Sequence, residues 1–285
     1  MDDNNSGSYT EIASSVFSTS YTKTGLNEGQ SYKFRLRSRN SVGYSTYSSP
    51  FTIVAATKPD VPTSFLRNES STTKTQVAFS WNAPSDNGGS SVIDYAIEMD
   101  SNNSGSYTEV STSITGTSYT KTGLSEGTSY NFRLRARNTV NYSDYSSVFT
   151  IIAATIPSKP SNPSLAVSGD ETEIVISWSL PSDLGGLAIG GYKLEIKASS
   201  GTFETDLANC NAESDSTIIS SRTCSVPVSV LRANPFDLGD SSTIFARVTA
   251  INDIGSSIAS SSGIATMPIA PVKPDPPTTF TGIPS

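Results

Sequence analysis

With 285 residues, 19 basic against 26 acidic side chains and a net charge of −7, the chain presents the opposite of the basic surface that nucleic acid or an anionic membrane selects. Histidine is absent, which removes Ser-His-Asp, Cys-His and HExxH chemistry together with the commonest general base. No apolar run approaches the roughly 20 residues of a membrane-spanning helix, and serine plus threonine reach 85 residues, a mixture suited to exposed strand faces and turns.

The first 57 residues return 98 positions later. Met1 to Thr57 and Met99 to Thr155 align without a gap and share 41 identities, so the repeating unit is a whole domain. Met1 falls on an interior residue of the next unit, so the chain reads as a window on something longer. At the far end KPDPPTTF from Lys273 repeats KPDVPTSF from Lys58, the expected opening of a further unit. Four segments follow: 1–57, 58–156, 157–268 and 269–285.

Along the best-preserved segment, short alternating runs separated by Gly, Pro, Asn and Ser clusters read as strands of an all-β sandwich or barrel. QVAFSW up to Trp81 is a strand, APSDNGGS a turn, and VIDYAIEM a strand with Tyr95, Ile97 and Met99 on one face. NNSG at 102–105 closes a hairpin into SYTEV. TSYTKT then leads to a Leu124–Gly127 corner, and SYNFRLRARN places Tyr130, Phe132, Leu134 and Ala136 inward with Arg133, Arg135 and Arg137 outward. VFTIIAAT is the last strand, and no helical period competes anywhere. The connections ATKPDVP, ATIPSKPSNP and ATMPIAPVKPDPP are proline-stiffened, which favours extended chain and a semi-rigid rod.

A Trp on the second strand, a Tyr on the third and the run L-x-x-G-x-x-Y-x-F-x-L-x-A-x-N resemble the fibronectin type III module. The resemblance covers a partial module at 1–57, a complete one at 58–156, a divergent one at 157–268 and the Pro-rich linker and first strand of another at 269–285. It implies tandem immunoglobulin-like, seven-stranded β-sandwiches in a linear array. It also implies that Trp81 and Trp178 are core residues and that the hydroxyls of Tyr32 and Tyr130 bond back to nearby backbone. The 157–268 segment has Ile244 at the place of that tyrosine and about 16 extra residues, roughly Asp206 to Ser221, beside its cysteines. Its stretch from Cys210 to Asp240 resembles a variant found in very large ciliate repeat proteins.

Candidate chemistry is sparse. Asp100-Ser-Asn102-Asn-Ser104-Gly105 copies the first half of an EF-hand loop, but Ser111 stands where the bidentate glutamate belongs, and a hairpin turn accounts for the same residues. No metal or cofactor is expected. The arginine row 133, 135 and 137, with its copy Arg35, Arg37 and Arg39, could hold sulfated sugars. The simpler reading pairs it with Glu98 and Asp100 on the neighbouring strand. Cys210 and Cys224 are expected to form a disulfide. Asn4, Asn68, Asn102 and Asn141 head N-x-S/T sequons in turns. Tyr44 and Tyr47, matching Tyr142 and Tyr145, sit at the F–G loop of the fibronectin-like pattern, where they either anchor a partner or pack on their own module.

These features describe a non-enzymatic, extracellular or cell-surface structural and adhesive protein, a spacer or filament subunit. Its partners would be other copies of itself, other surface proteins or glycans. A receptor or adhesin ectodomain binding a protein or glycan, and an accessory spacer of a larger secreted enzyme, are the alternatives.

Overall fold

The computed structural model describes residues 1–3, 5–101 and 103–270. The chain divides into two compact units, Met1–Ala153 and Ala154–Ser285, both built of antiparallel strands.

Within the first unit, residues 1–57 supply one two-stranded sheet, β1 (Ser31–Phe34) against β2 (Phe51–Val54). Tyr32 is buried there, while Phe17, Leu36 and Phe51 stay exposed. Among the described residues of this segment no second sheet faces β1 and β2, and the apolar side is open. The remainder forms a complete sandwich. One sheet holds β3 (Thr63–Arg67), β4 (Gln76–Asn82) and β7 (Ser118–Thr122) in that order. The other runs β6 (Thr108–Ile114), β5 (Asp94–Asp100), β8 (Ser129–Arg137) and β9 (Phe149–Ile152). Strict alternation on β8 sends Tyr130, Phe132, Leu134 and Ala136 into the core, as expected of a half-buried strand. Phe79 lies at the centre, its ring 4.9 Å from Phe132, 5.6 Å from Phe149 and 6.0 Å from Trp81, and Trp81 meets Tyr95 edge-on at 5.3 Å. Such tilted aromatic contacts each add about 0.5–1.5 kcal/mol beyond area burial.

The second unit repeats this plan. One sheet is β10 (Ser164–Val167), β11 (Glu173–Ser177) and β14 (Thr223–Pro227). The other is β13 (Phe203–Glu204), β12 (Gly191–Lys197), β15 (Thr243–Asn252) and β16 (Gly255–Ser256), with β17 (Gly263–Thr266) also paired to β15. Trp178, Tyr192, Ile244 and both cysteines belong to its core. The extra residues contain α1 (Ser216–Ser221), a correction to the helix-free expectation, and α2 (Val228–Leu231) follows β14. Asp215 caps α1 by accepting from the amides of Thr217 and Ile218. The insert is stapled to β14 by the disulfide Cys210–Cys224, whose Cα atoms lie 5.5 Å apart, an ordinary bridging distance.

The corner tyrosines behave as the resemblance implied. The Ser125 amide donates to the Tyr130 hydroxyl, and the Asn27 amide to that of Tyr32, both at 2.8 Å. Ile244 takes the place in the second unit, fully buried and without that bond to make.

Candidate functional site

Two arrangements recur with the repeat, and both grow from the end of strand β8 or its counterpart. The first holds the linker that enters a module. Asn138, at the start of the F–G turn, is buried. Its Oδ1 accepts from the amides of Val140 and Asn141 at 2.9 and 3.2 Å, which shapes the turn. Its Nδ2 donates to Thr57 O at 2.7 Å and Asn87 O at 2.9 Å, tying together the linker, the β4–β5 connection (the B–C turn) and the F–G turn. The Thr57 amide completes the clasp by donating to Gly88 O at 2.8 Å. Gly88 has φ +67°, and a Cβ there would lie 2.3 Å from Thr57 O, so glycine is required both by conformation and by the closeness of the linker.

Asn252 does the same in the second unit. It donates to Thr155 O and Leu184 O, both at 2.9 Å, and accepts from the amides of Ile254 and Gly255. The Thr155 amide donates to Gly185 O at 2.7 Å, and a Cβ on Gly185 would lie 2.2 Å from Thr155 O. Sequence reading missed this clasp. Its signal is the coincidence of Gly-Gly after a Ser-Asp in the B–C turn with Asn at the end of the F strand, present in both segments.

The second arrangement is a stack of arginines and tyrosines on the outer face of the β6–β5–β8–β9 sheet. Past the F–G turn the chain is held to β8 by serines: Ser143 and Ser146 are buried, and their hydroxyls accept from the amides of Ala136 and Leu134. With these serines turned inward, Tyr142 and Tyr145 lie over the arginine row. Arg133 stacks between Tyr107 and Tyr145 at 4.0 Å each, and Arg135 between Tyr142 and Tyr145 at 4.2 and 5.0 Å. The copy at Arg35 and Arg37, with Tyr9, Tyr44 and Tyr47, has matching distances of 3.9 to 4.8 Å. The F–G tyrosines therefore pack on their own module, and a binding role for them is a matter of the face they help to build.

The charge pairing expected for this row needs one correction. Glu98 does lie opposite Arg133 and is bonded by it at 2.7 Å. Asp100, however, is buried, and its carboxylate accepts from the amides of Ser104 and Gly105 in its own hairpin. A carboxylate at the mouth of a tight turn is captured by the backbone donors there before it can reach across the sheet. Arg137 is instead paired with Asp94. Burial alone would push the Glu98 carboxyl up. The hydrogen bonds from Tyr145 and Arg133 and the charges of Arg133 and Arg135 outweigh it, and the group lies below the ordinary value of 4.5. Burial, together with the bond to Glu98, pushes the Tyr145 hydroxyl up.

The Asp100 loop folds as a hairpin turn, with Asn103 and Gly105 at φ +53° and +79°. Among the described residues no group of three or more acidic, histidine or cysteine side chains could hold a metal ion, and no helix is long and apolar enough to cross a membrane. Of the sequons, Asn68 and Asn141 are exposed. Asn4 and Asn102 lie outside the described residues, as do residues 271–285.

With a Trp-centred two-sheet core and a corner tyrosine in place, the comparison with known families decides the module. Residues 61–152 are a fibronectin type III domain. The chain is 32% identical over 187 residues to fibronectin type-III domain-containing protein 3a of Gallus gallus, a match covering 63% of this chain and 15% of that protein. It is 30% identical over 190 residues to exoglucanase B of Cellulomonas fimi, covering 61% of this chain and 16% of the enzyme. The chain thus spans about a sixth of these relatives. Among solved structures, the FN1–FN3 domains of chicken CNTN1 match at 15% identity and a TM-score of 0.42, over 85% of this chain and 77% of that one. The chain thus carries a fibronectin type III domain at 61–152 within a tandem of β-sandwich units.

Proposed function

We propose that the chain is a structural and adhesive segment of an extracellular protein, a semi-rigid spacer or filament subunit that works through repeated module faces and catalyses no reaction. The observation that carries this reading is the linker clasp. A module that grips the linker leading into it with one side-chain amide bond, one backbone bond and a glycine-shaped seat is built to hold position under load. Repetition supports it further: the Arg–Tyr stack recurs at a fixed sequence interval, and faces that recur let many weak contacts sum. Other copies of the chain, other surface proteins and glycans are the partners of such a face. The disulfide and the exposed sequons at Asn68 and Asn141 fit an oxidising, glycosylating compartment.

The test places spin labels at Thr46 and Thr120, on either side of the Thr57 linker. A spacer gives one narrow distance distribution that broadens when Asn138 becomes Ala. A distribution already broad in the wild type overturns the reading. A second reading, accessory spacer of a larger secreted enzyme, is favoured by the match to exoglucanase B.

A further inference from the structure

Residues 1–57 and 99–155 agree at 41 positions, yet they cover the same face to different extents. Phe34 pairs with Phe51 and Tyr32 with Ile53 across β1 and β2, so these side chains share one side, and Leu36 continues it. Each is identical to its counterpart, Phe132, Phe149, Tyr130, Ile151 and Leu134. Leu134 and Ile151 are 0% and 3% exposed, whereas Leu36 and Ile53 are 74% and 44% exposed, and Phe51 is 66% exposed. The difference lies in what faces these residues, since the residues themselves are the same.

In the complete module the cover comes from residues 58–98. Val77, Phe79 and Trp81 of β4 share a core cluster with Tyr130, Phe132, Leu134 and Ile151. Phe79 lies 4.9 Å from Phe132, and Phe65 of β3 stacks on Phe149 at 5.5 Å. β5 adds backbone to side chains, pairing Asp94–Asp100 with Asn131–Arg137 along the edge of β8 away from β9. The matching edge of β1 is paired where Asp2 bridges Lys33, the equivalent of Asp100 with Asn131. Among the described residues no strand runs beside Arg35 and Arg37 on that side. An apolar face and a backbone edge are therefore open together, in the register of one set of strands.

The chain's own 58–98 segment is committed elsewhere, β4 to β7 and β5 to β8. Moving it onto β1 and β2 would open the same face of 99–155, so exchange between copies gains no contact. Two open halves set face to face would cover apolar side chains but leave both edges unpaired. We propose that the β1–β2 face is a strand-receiving site whose occupant is a segment of a second polypeptide patterned like residues 63–98. Such a segment brings a Val-x-Phe-x-Trp strand to fill the apolar side and a following strand to pair antiparallel to β1 at Arg35 and Arg37. Main-chain bonds supply affinity and the alternating side chains supply selectivity. The site stands whether or not the chain is a spacer.

A fluorescein-labelled synthetic peptide of residues 63–98, titrated into the full chain and followed by anisotropy, tests it. One peptide should bind per chain. Hydrogen exchange at the Arg35 and Arg37 amides should slow at least about tenfold, while that at Arg133 and Arg135 stays as it was. Leu36→Asp with Phe51→Asp should weaken binding at least about tenfold. Both side chains are already exposed, so the Trp81 and Trp178 unfolding transitions should stay in place. A peptide carrying Phe79→Asp and Trp81→Asp should not bind. No binding at about 100 μM peptide, or binding that ignores these variants, overturns the site. Binding that leaves Arg35 and Arg37 unprotected overturns it too. Self-association without peptide that Leu36→Asp with Phe51→Asp abolishes makes the occupant a second copy and overturns this assignment.

Discussion

Replacing Asn138 by Ala isolates the clasp, because the side chain makes four hydrogen bonds and little else. The two bonds to the Thr57 and Asn87 carbonyls are part-buried. At about 1 kcal/mol net for each, plus the cost of leaving carbonyls poorly solvated, their loss should destabilise the module by about 2–3 kcal/mol. The two bonds that shape the F–G turn involve amides that water can reach once the turn opens, so they add less. Asn138→Asp separates the roles. It keeps the acceptor for Val140 and Asn141 but sets a carboxylate oxygen against two carbonyl oxygens, so it should be no more stable than Ala. Unfolding is followed by the fluorescence of Trp81 in a Trp178→Phe background. Hydrogen exchange at the Thr57 amide, which donates to Gly88 O, reads the linker itself, and 2–3 kcal/mol corresponds to about 30–150-fold faster exchange. The Thr155 amide, held by the equivalent clasp around Asn252, should be unchanged. If Asp behaves like the wild type, or Thr57 stays protected in the Ala variant, the linker bonds do not matter and the clasp argument fails.

Three other outcomes are expected. Converting Cys210 and Cys224 to Ala releases a closed loop spanning a sequence separation of 14, which should cost about 3 kcal/mol in the Trp178 transition and nothing in that of Trp81. Tyr130→Phe removes the acceptor of the Ser125 amide and should lower stability by about 1–2 kcal/mol in urea denaturation; the equivalent position in the second unit, Ile244, already lacks that acceptor. The carboxyls of Glu98 and Glu195 lie below the ordinary value of 4.5 against the opposing pull of burial. Their stabilisation is therefore complete above that value and lost as pH falls through the lower, folded-state values. Between about pH 5 and 3 the wild type should lose stability more steeply than Glu98→Gln read by Trp81.

Periodicity made the inward set of β8, the core tryptophans and the repeat itself legible, because burial alternates with a period that sequence displays directly. The failures have a common cause in partners distant along the chain or competing locally. Asp100 and Asp94 are both acidic and lie on the same strand, and which one faces an arginine depends on whether nearby turn amides take the carboxylate first. Asn138 looked like a turn residue because half its bonds are local; the other half reach 81 and 51 residues away. The insert helix is built from STIISS, whose serines and β-branched residues favour other conformations. It forms because Asp215 caps it and the Cys210–Cys224 bond holds the insert beside β14, neither of which leaves a helical period in the sequence.

Three related segments in a single chain act as an internal comparison. The turn-shaping half of the asparagine is present in all three, since Asn40 Oδ1 accepts from Val42 and Gly43 as its counterparts accept from theirs. So is the serine pair after it, Ser45 and Ser48 bonding the amides of Ser38 and Leu36 just as Ser257 and Ser260 bond those of Ala250 and Val248. A feature that survives in the most divergent copy, beside a 16-residue insert and a lost corner tyrosine, is one the sandwich needs in order to close. The Arg–Tyr stack is absent from that copy and nearly unchanged between the other two, so what it serves is separable from folding. The two faces of the same short segment thus differ, with serines inward bonding β8 and tyrosines outward on the arginine row. Substitutions at Ser143 or Ser146 should unfold the F–G region, whereas those at Tyr142 or Tyr145 should leave the Trp81 unfolding transition nearly unchanged.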